Sequence, residues 1–318
     1  MKITSLLDIT GGTLLNTPAI SFITQIHTDI HKVNEGDLFI SSDCDNIYEA
    51  VSKGAFCIIT DIDMLISDPE IAWIKVDCLE LSATKIIRFL LANKQIESYY
   101  CDSISYELLE IYNPNKSKYF FFNEPLNSIE SIQNIEENCC LISKKEKFLT
   151  AIYPRSKEFE TKEFEVNNLT IHSLFEVSFS ITNKLFTRLR LPASYIYHFL
   201  SVKEFYSINN IDENKIKQFH AMSPIFINKS LQIVDFGKSN RFIICSEDEL
   251  KTQLNKLFID SFYNYSKTEY LEVNKLDDFS VYKTIKASTA NCIYLIGCDE
   301  NYIQTILFKY SQTNQTLF

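Results

Sequence analysis

Gly237-Lys238-Ser239 is the tripeptide in this chain whose composition suits a phosphate-binding loop. Such a loop works because consecutive backbone N–H groups close on phosphate oxygens while a lysine neutralises them, and glycines keep the approach clear. The full motif needs a glycine five residues earlier, and that position is Gln232. The apolar runs 231–236 and 241–245 read as strands on either side, whereas the motif needs a helix after it. The tripeptide is expected to be a simple turn. His27 and His31 stand four apart with Asp29 between them, a spacing that suits a metal on a helix face. No third ligand accompanies them, so no metal site is expected. His172, His198 and His220 have no recognisable partner sets, and Cys139-Cys140 sits inside an apolar run where a core role is expected. Phe120–Phe122, Tyr195, Tyr197, Tyr263 and Tyr265 could stack a base or a sugar, but aromatics at alternate strand positions serve core and sheet surface. The acidic pairs Glu136-Glu137 and Asp277-Asp278 read as solvated faces. No Gly-x-Ser-x-Gly elbow or Cys/His nucleophile pattern is present. The sequence offers no catalytic residue and no cofactor-binding set.

Composition narrows the classes further. The chain has 318 residues, 46% of them hydrophobic, enough core for two or three domains. Its net charge is -10, and its 31 basic residues are scattered, which argues against nucleic acid, since phosphate neutralisation needs clustered Lys and Arg. Nine unpatterned cysteines, with no C-x-x-C pair, suggest free thiols in a reducing cytoplasm. The start, MKITSLLDITGG, does not read as a signal peptide, and no apolar run approaches the roughly 20 residues of a membrane helix.

The elements that would position any site follow from periodicity. Residues 37–41, 56–60 and 73–76 read as short buried strands, with helices over 47–53 (stopped by Gly54) and 79–93. A second run alternates helix 104–112, strand 119–122, helix 126–136, strand 139–143 and helix 145–152, after which 159–167 reads as a connecting or exposed strand. A β-rich stretch follows at 169–172, 174–181 and 186–191, then a helix from Pro192 to about Tyr206 and another beginning at Asp212. The last unit shows strands at 231–236, 241–245, 270–273 and 292–296, with helices around 247–261 and 301–310 and a frayed tail. Strands alternating with helices predict small parallel sheets.

One run carries a family signature. Thr28–Ala55, TDIHKVNEGDLFISSDCDNIYEAVSKGA, resembles the N-terminal domain of the Mur ligases. These are cytoplasmic enzymes that add amino acids to UDP-N-acetylmuramate during peptidoglycan synthesis. Asp29, Val33, Gly36, Asp37, Leu38, Phe39, Ala50, Gly54 and Ala55 match the family pattern. Ile30 and His31 stand where it has Ser and Arg, and its Gly-rich loop is shortened to Ser42–Asn46. In the family this region faces the uridine nucleotide, so the resemblance makes Thr28, Asp29, His31, Ser41 and Ser42 the candidate nucleotide-sugar residues, with two polar contacts altered. Leu191–Val202 resembles the family's Leu-Pro-Gly-x-His-Asn turn, with Ala193, Tyr195 and Ile196 at the Gly, His and Asn positions. Ile293–Gln304 resembles its closing strand and loop, keeping Gly297 and Glu300. The three echoes follow the family's domain order.

The resemblance implies an α/β, multi-domain, reduced Mur-ligase-like architecture of small parallel or mixed sheets flanked by helices. Its expected parts are a Mur-ligase-like N-terminal domain (1–95), a reduced central domain (96–228) and a Rossmann-like C-terminal domain (229–318). The family's phosphate loop, magnesium carboxylates and lysine belong to the central domain, yet no glycine occurs between Gly54 and Gly237. Without that loop little remains to hold β- and γ-phosphates. The expected function is therefore a non-catalytic pseudoenzyme acting by protein–protein contact in peptidoglycan synthesis or cell-shape control, with a cell-wall synthesis protein as partner. A module that binds a UDP-sugar or other peptidoglycan precursor is the alternative, and an active ATP-dependent ligase comes third.

Overall fold

The computed structural model describes residues 1–182, 184–208, 212, 214–262 and 267–313. These group into two compact units, one of Met1–Asp102 with Pro114–Phe159 and one of Ser103–Asn113 with the chain from Glu160 on. Tyr263, Tyr265, Glu213 and the 314–318 part of the expected tail lie outside the described residues.

In the first unit, α1 (Ile3–Thr10), β1 (Thr13–Leu14), β2 (Ile26–His27), β3 (Leu38–Ile40), α2 (Cys44–Ser52), β4 (Cys57–Thr60), β5 (Ala72–Lys75) and α3 (Leu79–Leu91) come first. Their sheet runs β1-β5-β4-β3-β2, all parallel except the edge strand β1. The expected strands at 37–41, 56–60 and 73–76 appear within a residue or two, because strands covered on both faces read as unbroken apolar runs. The period of two sorts their side chains. Leu38, Ile40, Cys57, Ile59, Ala72 and Ile74 join one core cluster with Ile86 and Ile87 of α3. Phe39, Ile58 and Trp73 join the opposite cluster with Ile47 and Ala50 of α2. Asp43 starts α2 by accepting the Asn46 N–H at 2.9 Å. Gly54 ends that segment at φ 86, a left-handed conformation that glycine adopts without a Cβ penalty.

The same unit holds a second parallel sheet. Its strands are β6 (Glu97–Tyr100), β7 (Tyr119–Phe121), β8 (Cys140–Ser143) and β9 (Lys157–Glu158), in the order β7-β8-β6-β9. Between β6 and β7 the chain passes through α4 (Ser103–Tyr112), which belongs to the second unit. Helices α5 (Pro125–Gln133) and α6 (Glu146–Ile152) complete the sheet's cover. Ile129, Ile132, Leu141 and Leu149 share the core that contains α3, so one apolar interior serves both sheets.

The second unit opens with an antiparallel sheet of β10 (Asn167–Ser173), β11 (Glu176–Ile181) and β12 (Lys184–Leu189), followed by α7 (Ile196–Phe205). A mixed sheet then forms from β13 (Pro224–Phe226), β14 (Phe242–Ser246), β15 (Thr268–Glu272) and β16 (Cys292–Ile296), in the order β13-β14-β16-β15. Its helices are α8 (Glu249–Ser261), α9 (Asp278–Ala287) and α10 (Glu300–Thr313). The sequence pattern differs from this in three places. The run 231–236 is a loop that meets the sheet through an Ile227–Ile233 bridge, with Leu231 in the sheet's core and Phe236 against Phe226, and the edge strand is Pro224–Phe226 instead. Pro224 opens that strand, where its missing N–H costs the ladder little. The helix expected from Asp212 is a short 3-10 turn at Lys215–Gln218. Asp277-Asp278 opens a helix, Asp277 accepting both the N–H and the hydroxyl of Ser280 at 3.0 Å.

Candidate functional site

The residues with nucleotide-sugar expectations gather at one end of the first sheet. Thr28, Asp29 and His31 follow β2, and Ser41 and Ser42 follow β3, its parallel neighbour. All five thus lie beyond the carboxyl ends of adjacent parallel strands, the edge at which α/β sheets take ligands. Asp29 caps a 3-10 turn at Ile30–Lys32 by accepting the His31 N–H at 3.0 Å, leaving His31 itself exposed. Ser41 accepts the Asp43 N–H at 3.0 Å and so shapes the turn into α2, while Ser42 is exposed.

Helix α5 closes on this edge with two side chains one helical turn apart. Gln133 donates to the Ile26 carbonyl and accepts the Ile26 N–H, both at 2.9 Å, and so pairs the edge strand as another strand would. Glu130 Oε1 accepts the backbone N–H groups of Thr28 and Asp29, each at 2.9 Å, with the Thr28 hydroxyl at 3.4 Å. Glu130 Oε2 takes Lys32 Nζ at 2.7 Å. Burial opposes the charged form of Glu130. The hydrogen bonds from Lys32 and from the Asp29 and Thr28 amides outweigh it and hold the carboxyl below its ordinary value. Lys32 is correspondingly raised, first by its hydrogen bond to Glu130.

His27 is buried between two carboxylates, its Nε2 3.4 Å from Asp37 Oδ2 and its Nδ1 3.6 Å from Glu130 Oε1. Asp37 fastens the loop around it, accepting the Gln25 N–H at 3.1 Å, the Asn34 N–H at 3.0 Å and the Thr24 hydroxyl. Each residue of the matched run Gly36-Asp37-Leu38-Phe39 has a part in the fold. Gly36 donates to the Gly54 carbonyl at 2.9 Å, Asp37 is the loop's fastener, and Leu38 and Phe39 are core. Glu130 and Gln133 had no sequence signal connecting them to this edge, since about a hundred residues separate them from their partners.

The other candidates resolve into structural roles. Gly237-Lys238-Ser239 forms a turn in which Lys238 N–H donates to the Asp235 carbonyl at 3.0 Å. Ser239 Oγ donates to the Ile227 carbonyl at 2.7 Å. Strand β14 follows, so no helix N-terminus backs the turn. Of the positions matching the family's Gly, His and Asn, Tyr195 and Ile196 are buried, and the Tyr195 hydroxyl bonds the buried Asn255. Gly297 stands at φ 89, a left-handed conformation that strains any residue with a Cβ, and the Asn274 side chain lies where that Cβ would project. Glu300 lies 3.6 Å from His220 Nδ1, and its hydrogen bond raises that imidazole above its ordinary value. His172 Nε2 lies 2.7 Å from Ser178 Oγ. Burial pushes the Cys140 thiol up to about 12, a poor nucleophile inside β8.

No protein-family model matches the sequence, and no curated protein matches it. Solved structures do. The MurF ligase of Thermotoga maritima, determined with ADP, is 12% identical over 91% of this chain and 98% of that one, with a TM-score of 0.52. The UDP-N-acetylmuramoylalanyl-D-glutamyl-2,6-diaminopimelate–D-alanyl-D-alanyl ligase of Acinetobacter baumannii is 9% identical over 98% of both chains, with a TM-score of 0.50. A MurF structure from the same organism is 11% identical over 99% of this chain and 93% of that one, again at 0.50. Identity this low speaks for architecture alone. Taken with the parallel sheets flanked by helices, it gives this chain a Mur-ligase-like α/β fold.

Proposed function

We propose that this protein is a non-catalytic Mur-ligase-like protein that works in the cytoplasm by protein–protein contact, in peptidoglycan synthesis or cell-shape control. The observation that carries the reading is Glu130. At the edge where the resemblance places the uridine nucleotide, the Thr28 and Asp29 amides and Lys32 are already bonded to a carboxylate of the chain itself. A nucleotide-sugar phosphate would have to displace a partner that is covalently tethered and already paid for in folding. The stretch without glycine from Gly54 to Gly237 supports the same reading for ATP. A contact surface is available. β10 is an exposed edge strand, and Leu169, Ile171 and Leu185 are exposed on its sheet, which suits an extended segment of a partner.

The test is turnover, followed by pairwise binding. Incubated with Mg-ATP, UDP-N-acetylmuramoyl peptides and candidate amino-acid or dipeptide acceptors, the protein should release no ADP above buffer and form no amide product. Mixed with individually purified peptidoglycan-synthesis proteins, it should bind one directly, and Leu169→Glu with Leu185→Glu should weaken that complex. ADP release coupled to amide formation would overturn the reading, as would failure to bind any of those proteins.

A further inference from the structure

The second sheet of the first unit ends at its amino edge in a cavity of about 600 Å³, whose lining includes Lys94, Lys118, Arg155 and Lys157. Glu97 is the acidic residue beside them. In a chain of net charge -10, four cations against one carboxylate in a single concavity is a local reversal of sign. Lys94 Nζ donates to the Ile135 carbonyl. Among the described residues, Lys118, Arg155 and Lys157 have no carboxylate within ion-pair distance, 4.0 Å.

The backbone holds these groups in fixed places. Lys118 directly precedes β7, Glu97 opens β6 and Lys157 opens β9. Lys118 accepts the Cys140 N–H on its carbonyl at 2.8 Å, and Asn138 donates its N–H to Gln95 at 2.8 Å. Tyr99 faces Lys157 in the β6–β9 register. Parallel strands thus deliver their first residues to one edge, and positions on strands are held more tightly than positions on loops. Cations in excess of the local counter-charge repel one another, and a bound anion relieves that repulsion. The volume lies within the range of roughly 300–1,000 Å³ typical of small-molecule sites. A concavity of that size favours a compact ligand over an extended macromolecule.

We propose that this cavity binds a small polyanion bearing two or more phosphate or carboxylate groups, held by Lys118, Arg155 and Lys157. The site lies on the second sheet, away from the β2 edge closed by Glu130, and its existence does not depend on whether the protein is a ligase.

Calorimetric titration of the full chain at low ionic strength tests it, with inorganic pyrophosphate, citrate and a polyglutamate peptide as separate probes. Pyrophosphate or citrate should bind one to one, and whichever binds more tightly assigns phosphate or carboxylate as the preferred group. Lys118→Glu with Arg155→Glu should weaken that binding by at least about tenfold, as expected for losing charge-assisted hydrogen bonds. Lys118→Arg with Arg155→Lys should retain it, and Glu97→Gln should tighten it. All three variants change exposed residues, so each should fold. No binding of either small anion at roughly 1 mM, an affinity worth only about 4 kcal/mol, would overturn the proposal. So would binding unchanged in the charge-reversed variant, or tighter binding of polyglutamate than of both small anions.

Discussion

Two regions of the first unit gather charged side chains, and the chain completes one of them and leaves the other open. Beyond β2, the Thr28 and Asp29 amides and Lys32 all end on Glu130, and Gln133 satisfies Ile26. At the amino edge of the second sheet, Lys118, Arg155 and Lys157 point to no carboxylate of the described chain. Polar groups satisfied internally stabilise a fold, and a ligand must compete with the bonds they already make. Cations left unpaired in a concavity add nothing comparable to stability and remain available to an outside anion. In the region whose sequence resembles a known binding face, a ligand would have to compete with the bonds that Glu130 already makes.

The sharpest way to break this comparison is to remove the carboxylate at its centre. Glu130→Ala should destabilise the protein by about 1–3 kcal/mol in urea unfolding, since it leaves the Thr28 and Asp29 amide donors without their acceptor. Glu130→Gln keeps an amide oxygen for the Thr28 and Asp29 N–H groups and should lose less than Glu130→Ala. A loss for Glu130→Ala within about 0.5 kcal/mol would mean that α5 covers β2 without fastening it.

The charge itself can be titrated. Glu130 has a folded-state value below its ordinary one, so its contribution is fully present above the unfolded carboxylate range, near about 4.3. That contribution is lost as the pH falls through the depressed folded value. Unfolding free energy should therefore drop more steeply below about pH 5 in the parent protein than in Glu130→Gln. At the other extreme Lys32, raised by the same pair, loses its contribution as the pH climbs through a value above its ordinary 10.5. Parallel slopes for the parent and Glu130→Gln on the acid side would show that another group governs the acid limit.

How far these regions could be read from sequence differs for physical reasons. Strands 38–40, 57–60 and 72–75 were visible because both faces are buried, which leaves a continuous apolar run. The motif around Gly36 and Asp37 was visible too, but it reported a loop fastened to a sheet, a fold feature that several functions can share. β2 was not visible. It has two residues, and its edge is satisfied by a glutamine 107 positions away, so no local pattern marks it. The strand expected at 231–236 failed because a run with four apolar residues can line a loop, while Pro224 hid the true edge strand. α9 was hidden because Asp277-Asp278 looked like a charged surface, although Asp followed three residues later by Ser is an N-cap arrangement. The cationic cavity left a faint trace, with Lys118 directly before one strand and Lys157 at the start of another. That trace acquires meaning only once the strands are known to be parallel, because only then do their first residues share an edge.

The open region supplies the smallest expected effect. With no carboxylate partner, and with the Tyr119 ring 5.3 Å from Lys118 Nζ as that lysine's exposed contact, Lys118→Ala with Arg155→Ala should change unfolding free energy by less than about 0.5 kcal/mol. Any change should be toward greater stability at low salt, because removing cations from a crowded edge reduces repulsion, and added salt should erase it as screening sets in. A loss above about 1 kcal/mol would show that these cations hold the sheet together, as Glu130 holds β2. The two regions would then differ in charge but not in kind, and the case for a ligand at the amino edge would rest on the cavity's volume alone.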